Sequence, residues 1–512
     1  MGSNSMRMPL KALIWVAALG LVGMFSGGCT TQEPNQAGLS AALPNAIVPP
    51  QPKREFRGVW IATVDNIDWP SRKNLSTAEQ KAELIALLDR AAELKLNAII
   101  FQVRPQCDAL YPSALEPWSE FLTGEMGKGP SPAWDPLAFA IGETHKRGME
   151  LHAWFNPYRA LHPAAKGPVA ANHISKTKPH LVRKYGRYLW LDPGEREVQE
   201  HSIAVIMDVV KRYDVDGVHI DDYFYPYPER NAQGRDVDFP DEASWRKFGA
   251  ATKLPRDDWR RENANVFVQR AHQAIKAEKP WVKFGISPFG IWRPGHPEQI
   301  KGFDSHGKLY ADSRMWLMNG WVDYFAPQLY WPIGQPAQSF SVLLNWWNDQ
   351  NPQQRHIWPG LAISRLSEGW QADEIVRQVR LAQTQPVSAG QIFFSMKHFN
   401  RHPALVNALQ SGPFSEPALI PASPWLATEP APKPSVTVMR GNPTYVNWSP
   451  APGETPSLWV LQFRIDDRWT TEILPGDTRL VTLSSDDVDV VAVSAVDRAG
   501  MMSAPATSRI SR

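Results

Sequence analysis

Between residues 55 and 412 the chain switches repeatedly between two hydrophobic periods. Short apolar runs rich in branched and aromatic side chains alternate with longer segments whose apolar positions recur three and four apart. The apolar runs read as strands: FRGVWIAT from Phe56, AIIFQV from Ala98, ELHAWF from Glu150, DGVHID from Asp216, VKFGIS from Val282, DYFAPQLY from Asp323, HIWPGLAI from His356 and GQIFFSM from Gly390. Helical patterns fall between them. The clearest is TAEQKAELIALLDRAAELK, with Thr77 expected as its N-cap. DPLAFAIGETHKRG opens with Asp135 as cap and Pro136 at the first helical position, and closes at Gly148. EREVQEHSIAVIMDVVKRY, WRRENANVFVQRAHQAIKAE and ADEIVRQVRLAQTQ follow the same logic. Strands alternating with helices in this way predict an α/β fold, a (β/α)8 TIM barrel with long βα loops.

The rhythm changes outside this region. From residue 436 to 512 the helical period is absent, and TYVNWSP, LWVLQFRID, RLVTL and VDVVAVSAVD alternate between turn residues. This predicts a small β-sandwich, and VAVSAVDRAGMMSAP resembles the last strands of a fibronectin type III module. A spacer or docking surface toward protein or glycan is its expected role. Residues 413–435 (PFSEPALIPASPWLATEPAPKPS) and 30–54 read as linker and tether. Residues 1–29 read as a targeting segment. Arg7 and Lys11 flank an apolar run, Leu10 to Phe25, that is short for a membrane span and ends in SGGC. That ending looks like a bacterial lipobox, with Cys29 lipidated, although Ser26 stands where Leu is usual. Thr30 after the Cys is similar to Gram-negative lipoproteins sent to the outer membrane. The expectation is a cell-envelope protein anchored to the membrane by lipid on Cys29 and facing the periplasm; a plain secreted protein or an uncleaved anchor are the alternatives.

Composition narrows the chemistry. A net charge of +2 gives no electrostatic case for a nucleic-acid partner. The chain has two cysteines, so with Cys29 lipidated Cys107 has no partner for a disulfide or a Cys-based zinc site. Zinc-ligand spacings, a P-loop, a Rossmann glycine fingerprint and a Ser nucleophile elbow are all missing from the sequence. No cofactor or metal is therefore expected. The 22 tryptophans exceed what a core needs, and indole faces suit sugar rings.

In a TIM barrel the active site lies at the C-terminal ends of the strands. Those ends carry Asp65, Asp68 and Trp69; Gln102, Arg104 and Asp108; Trp154, Asn156 and Arg159; His219, Asp221, Asp222 and Tyr223; Ser287, Trp292 and Arg293; Gln328, Tyr330 and Trp331; and Lys397 with His398. Arg104, Trp154, Asn156, Arg159, His219, Tyr223, Trp292, Gln328, Tyr330 and Trp331 are the candidate substrate contacts, since amides and Arg suit hydroxyl groups and aromatic faces suit pyranose rings. Strand alternation sorts the fourth strand: Val218 and Ile220 face the helices, so His219 and Asp221 point inward. Glycoside hydrolysis needs two carboxyls. Asp221 fits the nucleophile or base, and Asp222 a loop organiser or substrate contact. Asp312 is a candidate acid, as are Asp108, Glu116 and Glu120. The structural alternatives are an ion pair of Asp221 with Arg104 or Arg159, a helix N-cap for Asp312, and an orienting role for His219.

FRGVWIATVDNIDWPS, FQVRPQCDALYPSALEPWSEFLTG, HAWFNPYR, VDGVHIDDYFYP and APQLYW occur in an order that resembles the glycosyl hydrolase-like 10 family over roughly residues 54 to 410. The resemblance implies a (β/α)8 barrel acting on glycans. Members include envelope lipoproteins, and one branch cleaves peptidoglycan glycan strands already stripped of stem peptides. True family 10 xylanases use Glu at the ends of strands four and seven. Here strand four ends in Asp221 and Asp222, and strand seven runs to Ser364 without a Glu, so the xylanase mechanism does not transfer. An inward Asp on strand four looks more like the nucleophile position of α-amylase-type and α-galactosidase-type barrels. The expected function is a lipid-anchored glycosidase of peptide-free peptidoglycan strands. The alternatives are a peptidoglycan-binding scaffold without catalysis and a hydrolase of another polysaccharide.

Overall fold

The computed structural model describes residues 47–510 apart from 386, 388, 428, 442 and 484–486. Cys29, the leader and most of the expected tether lie outside the described residues. Every apolar run of the first region becomes a parallel strand: β1 (Phe56–Ile61), β2 (Ala98–Arg104), β3 (Glu150–Phe155), β4 (Gly217–Ile220), β5 (Lys283–Ile286), β6 (Tyr324–Phe325), β7 in two pieces (His356–Ile357 and Gly360–Leu361) and β8 (Gly390–Phe393). The sheet curls in the order β7-β6-β5-β4-β3-β2-β1-β8-β7. Pro359 has no N–H and splits β7. The split lets one segment serve both sides: Trp358 N donates to Phe325 O (2.9 Å), and Pro359 O accepts from Ile392 N (3.0 Å). The two ends of the curl thus meet in residues 356–361, and the fold is TIM-barrel-like.

The two-residue period sorts the walls. Val59, Ile61, Ile99, Phe101, Val218 and Ile220 pack outward in the core shared with the helices. Phe56, Trp60, Ala98, Ile100, Trp154, Tyr324, Trp358 and Ile392 form a second, interior cluster. Phe56 and Trp358 stack there with centroids 3.8 Å apart. Gly285 is required by this interior, because a Cβ on it would sit 1.9 Å from the Tyr324 ring.

Outer helices follow the sequence pattern, with one corrected cap. The helix Thr77–Glu93 is capped by Ser76, not Thr77. Ser76 and Glu79 stand at N-cap and N3, the spacing at which each side chain reaches the other's backbone N–H. Asp135 caps Pro136–His145 by accepting from Leu137 N and Ala138 N, both at 3.0 Å. Further helices span Arg196–Arg212, Arg256–Glu278, Phe340–Asp349 and Ala372–Gln383. An element the hydrophobic pattern did not reveal follows β3: a three-stranded antiparallel sheet of Arg159–Leu161, Val182–Tyr185 and Tyr188–Leu191. Its strands are too short to show a period.

Past the barrel, a three-stranded sheet (Ser435–Met439, Thr444–Ser449, Leu480–Leu483) and a four-stranded one (Arg468–Pro475, Leu458–Ile465, Val488–Val496, Ala506–Arg509) share one core. Val446 and Trp448 of the first meet Trp459, Leu461, Val491 and Val493 of the second. This unit touches the barrel beside the strand N-termini, where Arg54 Nη1 donates to Gly500 O (2.8 Å) and Arg498 Nη2 to Asp214 (2.5 Å).

At the opposite end, buried Asp68 ties β1 to β8. It accepts from Ala62 N (2.9 Å), Ser395 Oγ (2.7 Å) and Lys397 N (2.9 Å). Asp68→Ala strands these donors and is expected to destabilise the fold by about 2–3 kcal/mol. In urea this reads as a lower midpoint with an unchanged m-value.

Candidate active site

The buried strand β4 delivers Asp221 and Asp222 to its C-terminal end, where a cleft of about 290 Å³ opens. Its lining brings together the predicted residues Trp154, Arg159, Asp221, Asp222, Tyr223, Gln328 and Tyr330, with Gln102 and Ser287. Trp60, His162, Tyr227 and Phe394 also line it and were not singled out from sequence. Trp60 was legible in principle, since it shares inward parity with Phe56. Tyr227 is the last tyrosine of DDYFYPY, and nothing in that repeat says which ring turns back.

Asp221 is 5% exposed and Asp222 3%. Asp221 accepts from Trp154 Nε1 (3.1 Å) and from Asn156 Nδ2 (3.2 Å). Burial pushes its pKa up to about 7, and the neighbouring Asp222 adds to this; Arg159, Trp154 and Asn156 pull the other way. Asp222 is likewise raised, chiefly by burial, against hydrogen bonds from Tyr227 and Gln328. The Tyr227 hydroxyl donates to Asp222 Oδ2. Both carboxyls are therefore held above the ordinary carboxylate range, and as sequence neighbours that influence each other they titrate as a pair.

Below this floor a hydrogen-bond chain runs down the barrel. Trp60 Nε1 is a donor only, so His219 Nε2, 3.1 Å away, accepts. The His219 proton then sits on Nδ1 and points to Tyr324 Oη at 2.9 Å. That hydroxyl in turn donates to His152 Nδ1 (2.9 Å), and His152 Nε2 donates to Glu150 Oε2 (3.0 Å). Lys283 Nζ closes the chain on Glu150 Oε1 (2.7 Å). This assignment gives each hydrogen an acceptor. Burial, with His152 nearby, holds the His219 pKa well below the ordinary range, so the ring orients Trp60 as a neutral group.

Several sequence candidates are placed elsewhere. Arg104 does not line the cleft: its Nε donates to Glu116 Oε2 (2.7 Å), its Nη2 reaches Glu116 Oε1 and Cys107 Sγ (3.2 Å), and its Nη1 donates to Asn156 O (2.6 Å). A guanidinium this deep needs a carboxylate, and Glu116 supplies it. Burial alone would raise Glu116, but Arg104 and His201 lower it to about 2, so it is no proton donor. Asn156 supports Asp221 from behind, and His219 lies beneath Trp60. Asp312 is the N-cap of Ser313–Met318, accepting from Met315 N (3.3 Å) and Trp292 Nε1 (3.1 Å). Trp292 is stacked on Trp346, and Trp331 packs its edge on Phe289; neither lines the cleft. Asp108 is fully buried, and Glu120 is held by Lys73 and the Lys166 and Gly167 N–H groups. Among the described residues, Asp221 and Asp222 are the carboxylates that line the cleft, and no group of three His, Cys, Asp or Glu is placed to hold a metal ion.

A TIM-barrel-like α/β fold with paired carboxyls at a strand end has the architecture and the acidic groups of the glycoside hydrolase class. The profile of the glycosyl hydrolase-like 10 family matches residues 55–376. Glycosyl hydrolase YngK of Bacillus subtilis (strain 168) is 43% identical over 400 residues, covering 76% of this chain and 77% of YngK. Glycosyl hydrolase DigH of Escherichia coli (strain K12) is 35% identical over 382 residues, covering 69% of this chain and 85% of DigH. The chain belongs to the glycosyl hydrolase-like 10 family. Among solved structures, the PgaB (BpsB) glycoside hydrolase domain from Bordetella bronchiseptica aligns with a TM-score of 0.47 at 13% identity, over 70% of this chain and 98% of that one.

The Arg104–Glu116 pair gives a test of placement. Glu116→Ala leaves a buried guanidinium without its counter-charge and is expected to lower stability by about 3–5 kcal/mol in chemical denaturation. Asp312→Asn keeps a capping side chain and is expected to shift stability by less than about 1 kcal/mol.

Proposed function

We propose that the protein is a glycoside hydrolase that cuts glycan strands at the Asp221–Asp222 pair. The observation that carries this is the pair itself: two adjacent carboxyls, nine-tenths buried, on the floor of a cleft walled by Trp60, Trp154, Tyr223, Tyr227 and Tyr330. One carboxyl must give a proton to the leaving oxygen while another acts on the anomeric carbon or a water. A pair that holds one proton near neutrality meets both needs at once. A scaffold that only binds glycan needs no second carboxyl beside Asp221; Asp222 in the same cleft lining favours hydrolysis.

Peptide-free peptidoglycan strands are the proposed substrate, in keeping with the envelope address read from Cys29 and the aromatic cleft. Lipid on Cys29 would hold the enzyme to the outer membrane, facing the periplasm. The C-terminal sheets would act as a fibronectin type III-like module, spacing the barrel from a surface or docking it.

The test follows fragments released from peptide-free strands by mass. Wild type is expected to cut, Asp221→Asn to lose at least about 10³-fold in kcat, and Asp312→Asn to stay within about threefold of wild type because it caps a helix outside the cleft. Equal cutting by wild type and Asp221→Asn would remove Asp221 from the chemistry. The pH profile is a second check. A proton held by a group raised to about 7 is lost as pH rises through that value. Above it kcat/KM is expected to fall by about tenfold per pH unit. A flat profile between pH 6 and 9 would show that this proton is not used.

A further inference from the structure

The short sheet inserted after β3 supplies Arg159 to the cleft and, just past its first strand, His162. Arg159 is 3% exposed. Its Nε donates to Pro105 O (2.9 Å), its backbone N–H to Asn156 Oδ1 (2.9 Å), and its guanidinium lies over the Tyr223 ring at 5.1 Å. These contacts fix the fork. They leave Nη1 and Nη2 without a hydrogen-bond partner or ion pair among the described residues, although Asp221 and Asp222 feel the charge. Neither Nη atom is sealed off from the cleft, so both donors are open to a ligand acceptor there. His162 adds another donor. Its Nδ1 accepts from Ala164 N (3.1 Å), so the neutral ring carries its proton on Nε2, and the ring is held edge-on by Tyr188 at 5.6 Å. Burial, with the charges of Arg159, Arg187 and Lys166, keeps this ring neutral, its pKa lowered to about 4.

We propose that Arg159 and His162 form a subsite for a carboxylate carried by the glycan, the guanidinium taking both oxygens. A planar fork matches a carboxylate better than a single hydroxyl. This rests on the hydrolase reading and names what the cleft reads in its substrate. On a peptide-free peptidoglycan strand that group is the lactyl carboxylate of muramic acid. While the stem peptide is attached, the same position is an amide, with no charge and a bulky substituent. The subsite thus tells a free carboxylate from an amide at that position through the Arg159 fork.

The experiment compares kcat/KM on peptide-free strands, on the same strands with their carboxylates converted to primary amides, and on chitin oligosaccharides, which have none. Wild type is expected to favour the free acid over the amide by at least about tenfold. Arg159→Gln and Arg159→Lys should bring that ratio close to one, and His162→Gln should lower it partway. Two Arg159 variants guard against a folding defect, since Lys keeps charge and stem but loses the fork. Equal rates of wild type on acid and amide, or a proportional loss on all three substrates in the variants, would overturn the subsite while leaving the hydrolase intact. If wild type cuts none of the three, the hydrolase reading falls, and the subsite is judged by calorimetric binding of acid and amidated strands. An acid preference lost in Arg159→Gln supports it, and equal affinity refutes it.

Discussion

Withdrawing a carboxylate from water costs several kcal/mol unless donors or cations replace the lost hydration. Asp221 and Asp222 impose that cost twice at adjacent positions, and much of the surrounding structure offsets it. Trp154, itself in the interior cluster, lends its indole N–H to Asp221. Asn156 points its side-chain amide at the same carboxylate, and its backbone carbonyl is anchored by Arg104. The Tyr227 hydroxyl reaches back to Asp222. The offset is partial, so the pKa of each carboxyl stays raised and the pair is poised for proton transfer.

The same demand reaches deep into the barrel. A TIM-like interior is usually filled with branched aliphatic side chains. Here His219, Tyr324, His152 and Glu150 occupy it, joined end to end. The chain is directional because Trp60 can only donate at one end and Glu150 accepts at the other. A polar interior is tolerable because the members satisfy one another, and its product is an indole fixed at the cleft floor. Arg104 and Glu116 play a comparable part outside the cleft, burying charge to brace the loop that carries Asn156.

Strand and helix positions were largely legible in the sequence, because long apolar runs and three-four spacings are local signals. The cap at Ser76 was missed by one residue, as Thr77 competes for the same reading. The inward parity of His219 and Asp221 was also legible, since Val218 and Ile220 define the other face. The division of the rim into cleft and support was not. Arg104, Trp292, Trp331 and Asp312 all stand at strand ends or in the loops after them, yet their partners Glu116, Trp346, Phe289 and Met315 are contacts that no spacing reveals. The insert bearing Arg159 and His162 was hidden for a related reason: its strands pair with one another across loops and carry no period.

The central claim is that a glycosidic bond is held over Asp221 and Asp222. It is met most directly by a crystal structure of Asp221→Asn, which removes one carboxyl of the pair but keeps its shape, soaked with a peptide-free glycan tetramer. The account predicts one glycosidic oxygen within hydrogen-bond reach of residue 221 or Asp222, with the flanking sugars against Trp60, Trp154 and the tyrosines of the cleft. A glycan bound elsewhere, or one crossing the cleft with no bridging oxygen near either carboxyl, would contradict it.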